Sequence, residues 1–232
     1  MFHRERYMAA TELELGLQPP IYLRHAILAL GACASPKYAG LQERFYRSSR
    51  EALEFVEMND HHLDMVSVEQ AQTWILIATY EFRRMHFHRS WMSTGRAVRL
   101  VQMMGLHCMD QKDMGSLPPL LPPAKDWTAE EERRRTFWMA FCLDRSAAIG
   151  HGWPMTIDDQ DVSTSLFFDK RYLVIFSYHL DRYSFARYRR SFPELYRDDV
   201  SFPPRGDDCR GGSITVFFRR SSCHDRNWEP KT

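Results

Sequence analysis

Along residues 1–166 apolar side chains recur every three or four positions, the spacing that puts them on one side of an α-helix. Pro19 and Pro20 suit a helix start. Ile21, Ile27, Leu28 and Leu30 follow as its apolar side before Gly31 and Ser35-Pro36 break the pattern. Leu41, Phe45, Leu53 and Val56 mark a second helix, with Arg44, Arg47, Arg50, Glu51 and Glu54 on its wetter side. Ser67 and Gln70 have the spacing of a capping box, and Ala71, Trp74, Ile75 and Ala78 then repeat at helical intervals. A fourth helix is predicted over residues 89 to 104, where Trp91, Gly95, Val98, Val101 and Met104 line one side and Gly105 ends it. LPPLLPP, residues 117 to 123, is too rich in proline for a helix and reads as a linker. Thr128 with Glu131 offers a second capping box, opening a helix that runs through EEERRRTFWMAFCLDR at 130–145.

That last stretch sets three arginines against aromatics, an arrangement suited to nucleic acid or to a helix that buries a few satisfied charges. At 100° per residue Phe137, Phe141 and Ala148 share a face, and Arg133, Arg134 and Asp144 project within about 60° of its centre. Glu130 with Arg134, and Glu131 with Arg135, are four apart with the acid first, the better orientation on a helix. The segment holds four acids and four arginines and is neutral. A helix facing DNA needs unpaired positive charge, because counterion release scales with the phosphates neutralised. The spacing therefore predicts a core helix whose Arg133, Arg134 and Asp144 join a partly buried network of ion pairs.

Charge sharpens the division of the chain. The whole protein, 232 residues and 44% hydrophobic, carries +1, which gives no global attraction to nucleic acid or an anionic membrane. Residues 1–166 hold 18 basic and 21 acidic side chains, net −3, and residues 167–232 hold 13 and 9, net +4. The two segments, 1–166 and 167–232, are read as a helical region and an atypical tail, irregular or disordered. Within the tail, RYLVIFSYHLDRY has no clear period and FPPRGDDCRGG is loop-like. The expected fold class is all-α. Five dispersed cysteines (Cys33, Cys108, Cys142, Cys209, Cys223) read as reduced thiols, and no pair has metal-ligand spacing. With neither a signal-like start nor an 18-residue apolar run, the expectation is a soluble intracellular protein with no membrane partner.

Candidate chemistry is sparse. DDQD at 158–161 invites comparison with the aspartate-rich metal sites of isoprenoid enzymes, against a solvated loop after Gly152-Trp153-Pro154. A helical enzyme acting on a small apolar substrate is thus the alternative function, decided by whether Asp158, Asp159 and Asp161 face a cavity. His61-His62, His86, His88 and His107 lack the partners for a tetrahedral zinc site, and no P-loop, dinucleotide turn or nucleophilic triad is present. Trp74, Trp91, Met92, Met104, Trp138 and Met139 read as core, and Trp74, Trp91 and Phe141 are the candidates for lining an effector pocket between helices.

EEERRRTFWMAFCLDR followed by GWPMTIDDQDV resembles the signature of the fungal-specific transcription factor domain, the helical regulatory region of zinc-cluster regulators in fungi. GRAVRLVQMMGLH at 95–107 is similar to that family's helix ending in a Gly-Leu-His corner. AQTWILIATYE at 71–81 resembles its preceding helix, PPIYLRHAILALGA its opening one, and FHRERY its strand-like lead-in. The RRR-Phe-Trp stretch with GWP is similar to the subgroup of cutinase and xylanase activators. The resemblance runs in order over residues 2 to 166 and implies a nuclear, non-enzymatic role in transcription. Its motif residues are Arg133, Arg134, Arg135, Phe137, Trp138, Asp144, Arg145, Gly152 and Pro154. The partners it implies are a small effector, coregulators, or a homo- or heterodimer. DNA would be met only through a six-cysteine zinc cluster, which this sequence lacks, so zinc is expected as a cofactor of that module alone. The family pattern continues beyond the aspartates where this chain enters its dissimilar tail, consistent with a truncated or intron-read-through product.

Overall fold

In a computed structural model, residues 1–14, 16–59, 66–111 and 120–165 are described, with backbone alone at 149–151. The tail 167–232, His61-His62 and Leu117-Pro118-Pro119 lie outside the described residues. The described part contains six α-helices and no strand: α1 (Arg4–Thr11), α2 (Ile21–Ala34), α3 (Gln42–Met58), α4 (Val68–Arg83), α5 (Phe87–Met103) and α6 (Trp127–His151). The all-α expectation is met. FHRERY, however, leads into a helix rather than a strand, with Arg4 to Tyr7 forming the first turn of α1. The His3 ring accepts from the Arg6 N–H, and the residues that follow, RERYMAAT, are mostly good helix formers.

Helix α4 is the centre. Ser67 accepts from the Gln70 N–H and Gln70 returns the bond to the Ser67 N–H, so both halves of the capping box form. Ala71, Trp74, Ile75 and Ala78 are fully buried, but so are polar Thr73 and Glu81, because α2, α3, α5 and α6 all pack against this helix. Gln72 donates to the Thr136 hydroxyl of α6 (3.2 Å) inside that packing.

Two faces differ from the sequence expectation. On α2, Ile21 and Leu28 are about half exposed, while Tyr22, Leu23, Ala26 and Ala29 are buried; small alanines let α2 approach α3 and α4 closely. Gly31 does not stop the helix, which runs on to Ala34. On α3, Arg50 is drawn inward: its guanidinium meets the fully buried Glu81 (2.7 Å), which also accepts from the Tyr46 hydroxyl (2.6 Å). A buried carboxylate requires such partners, and Arg50 supplies the paired cation.

The ends of α4 and α5 share one geometry. Leu106 N–H reaches the Val101 carbonyl and Gly105 N–H the Gln102 carbonyl, with Gly105 at φ 69°, the Schellman arrangement the sequence anticipates. His86 and Met85 do the same to Glu81 and Phe82, but here the left-handed position is Met85 at φ 64°. The cap of helix α6 lies two residues before the expected one. Asp126, not Thr128, accepts from the Ala129 N–H (2.7 Å) and pairs with Arg6 (3.1 Å), while Glu131 is engaged by Arg135 instead of closing a capping box.

Candidate functional site

Helix α6 carries most of the motif residues, and the structure gives each a definite task. Arg134 forms a two-pronged bond with Asp110 beyond α5 (2.7 and 3.1 Å) and also reaches Glu130 and Glu131. The guanidinium, helped by the Ser165 N–H (2.6 Å), holds the Asp110 carboxyl well below the ordinary carboxylate range. Arg135 pairs with Glu131 (2.8 Å). Arg133 departs from the expected ion network: it donates to the Pro122 carbonyl (2.8 Å), and burial pushes its pKa down. A backbone carbonyl from the proline segment occupies the place foreseen for a carboxylate.

Phe137 is fully buried, and Trp138 and Phe141 stack edge-on beside it. Trp138 donates to the Ser165 carbonyl (3.0 Å). One turn on, buried Asp144 accepts from the Thr156 and Ile157 N–H groups (2.9 and 3.1 Å). Arg145 lies over the Phe141 ring (4.3 Å), donates to the Ile157 carbonyl (2.8 Å) and pairs with Asp159. Gly152, at φ 68°, stops α6 through its N–H to the Ala148 carbonyl, and Pro154 is exposed at the reversal. The chain then returns across the molecule. Thr164 donates to the Leu106 carbonyl and accepts from the Met109 N–H, and Ser163 and Thr164 N–H groups both reach the His107 carbonyl. The helix, the reversal and the Gly-Leu-His corner are thus one fastened unit.

The aspartates of DDQD belong to that return. Asp158 caps a single 3₁₀ turn over Asp159–Asp161, and all three side chains are exposed. They do not line the cavity described below, and among the described residues no three His, Cys, Asp or Glu side chains are gathered as for a metal ion. Nor do the described cysteines fit a zinc cluster: Cys33 on α2, Cys108 after α5 and Cys142 on α6 lie on different parts of the chain, and burial raises the pKa of each, that of Cys142 to about 11.

A cavity of about 440 Å³ runs along α5, lined by Trp91, Met92, Gly95, Arg96, Arg99, Leu100 and Met103 of that helix together with Glu57, Asp144 and Thr156. Of the three aromatic candidates, Trp91 lines it directly. Trp74 lies beneath it, fully buried: Arg96 covers its ring at 4.5 Å, and its indole N–H donates to Glu57 (2.6 Å). Glu57 in turn pairs with Arg96 (3.2 Å), so both lining side chains are anchored on Trp74. Phe141 is not among the lining residues; it sits under Arg145. Trp153 packs on Trp91 (4.7 Å), which ties the reversal after α6 to the end of the groove. Met92 is 63% exposed and Met103 52%, unlike the core role expected of Met92. Sequence reasoning missed Met92, Arg96, Arg99 and Met103 as groove residues. A signal existed: FHRSWMSTGRAVRLVQM holds three arginines and no acid.

The fungal specific transcription factor domain, as a family model, matches residues 1–178. Among curated proteins, the pigment biosynthesis transcriptional activator pigB of Monascus ruber is 37% identical over 166 residues, 72% of this chain and 30% of the relative. The ascochitine biosynthesis cluster transcriptional regulator of Didymella fabae is 34% identical, covering 72% of this chain and 28% of its own. The azaphilone cluster-specific transcription factor azaR of Aspergillus niger is 39% identical over 138 residues, 60% of this chain and 30% of its own. This chain therefore spans less than a third of the length of these relatives. No solved structure matches it.

Proposed function

The chain belongs to the fungal-specific transcription factor domain family, and from that premise we propose that it acts in the nucleus as the regulatory, non-DNA-contacting part of a transcription regulator for a biosynthetic gene cluster. Relatives with such printed names share its helical segment at 34 to 39% identity. The observation that carries the reading is the neutral, internally paired α6. Arg134, Arg135 and Arg145 pair with carboxylates and half-buried Arg133 donates to the Pro122 carbonyl, so the helix turns no row of unpaired cations to phosphates. Contact with DNA then falls to a zinc-cluster module outside this sequence, and this domain works through an effector, a coregulator or a second regulator chain. Among the described residues no helix is long and apolar enough to cross a membrane.

The test is a reporter assay with the full chain fused to an unrelated DNA-binding domain. Transcription is expected to change severalfold relative to the DNA-binding domain alone. An expressed, nuclear fusion that leaves the reporter at the control level overturns the proposal. In parallel, the purified chain is expected to retain no duplex DNA at nanomolar concentration. Salt-sensitive retention would place DNA contact within this chain after all.

A further inference from the structure

We infer that the groove along α5 is the docking site for an acidic amphipathic helix presented by a partner protein. The inference rests on the proposed function, of which it specifies the coregulator contact.

The shape of the groove favours a helix over a small molecule. Its lining follows α5 from Trp91 to Met103, a length of about 18 Å or three turns at 1.5 Å per residue, and remains open along its side. A small-ligand site normally encloses most of its guest. Two half-exposed methionines, flexible and polarisable, flank the trough, the surface that helix-binding grooves use to fit apolar anchors spaced three and four apart. Gly95 lies between them, and a Cβ placed there would meet no heavy atom within 4 Å, so a partner's side chain has room to descend.

Charge selects the partner. Of the arginines of α5, which has no acid, Arg96 and Arg99 line the groove. Arg96 is held in place by Glu57, Glu54 and the Trp74 ring, a guanidinium positioned before any ligand arrives. Among the described residues Arg99 bonds only the Gln102 amide oxygen (3.3 Å), and it is exposed, leaving its charge for a carboxylate. Of the two acids that also line the groove, Asp144 is paired with Arg145 and Glu57 with Arg96, so the charge left to the groove is that of Arg99. Residues 167–232 of this chain, net +4, have the wrong sign for the groove, which favours an occupant supplied by another protein.

The experiment is fluorescence anisotropy of a labelled synthetic helix of about five turns, leucines on one face and glutamates on its flanks, titrated with the full chain. The same peptide with Gln, and with Lys, in place of Glu serves as comparison. Saturable binding of the acidic peptide is expected, weaker by about tenfold for the Gln peptide and absent for the Lys peptide. Arg99→Glu and Met92→Glu, both at exposed positions, are each expected to weaken it about tenfold while the circular dichroism and melting curve stay as in the parent. The inference is overturned if the three peptides bind alike, if neither substitution matters, or if no saturable binding occurs. Self-association of the chain that Met92→Glu abolishes would also overturn it, since a second copy would then be the occupant. Binding is read without DNA or transcription, so a failed titration leaves the reporter result standing, and a silent reporter leaves the titration standing.

Discussion

Asp144 shows how a single side chain can hold a reversal in place. Its carboxylate satisfies two backbone donors of the returning chain from inside the core, 3% exposed. Asp144→Ala leaves both N–H groups and Arg145 short of a partner and is expected to cost about 3–5 kcal/mol, the range for breaking a buried charged pair; urea unfolding measures it. Asp144→Asn, which keeps one acceptor oxygen, should cost less. Asp110 contributes a pH dependence. Its carboxyl is depressed in the folded chain by Arg134 first and by Ser165, so its stabilisation is present above the unfolded carboxylate pKa and is lost as pH falls through the folded value. Between about pH 4 and the acid limit, the parent's urea midpoint should fall more steeply than that of Asp110→Asn. An equal fall in both would remove Asp110 from the account.

At the level of elements, the helix boundaries obey local chemistry. The capping box at Ser67 and the glycine stops at Gly105 and Gly152 can be read directly from residue type, because a side-chain oxygen or a missing Cβ acts within a few residues of its own position. Ser67→Ala should lower stability by about 1 kcal/mol. Gly95→Ala should raise it by about 0.5–1 kcal/mol, since a mid-helix glycine costs about that much and nothing crowds the new methyl. Thermal melting of the two variants gives opposite shifts if these assignments hold. The start of α6 eluded the same reasoning because two acceptors compete there. Asp126 and Thr128 both suit a cap, and the tertiary pairing of Asp126 with Arg6 and of Glu131 with Arg135 decides between them. Met85 at φ 64° has no local signal at all; the turn into α5 places a non-glycine residue where L-residues are strained.

For the whole molecule, the decisive contacts join parts far apart in sequence. Thr164 and Ser165 meet the corner at Leu106–Asp110 across more than fifty residues, and Arg134 ties the same corner to α6. Residues fastened in one network should not contribute independently. Asp110→Asn combined with Thr164→Val is expected to differ from the sum of the single changes by about 0.5–3 kcal/mol in denaturant unfolding, and simple additivity would mean that the corner is not one unit.

By itself the sequence determined the helical class, the helix ends at Pro20, Ser35, Ser67 and Gly105, the neutrality of α6 and the likeness to the family, because these depend on periodicity, local capping and order along the chain. The face that α2 buries, the inward turn of Arg50 toward Glu81, the carbonyl that Arg133 finds at Pro122 and the groove beside Met92 and Arg99 were decided only in three dimensions. Each depends on which neighbour a helix meets. A period of 3.6 says that a helix has sides; the partner packed against it, and the buried charge that must be answered, settle which side lies inside.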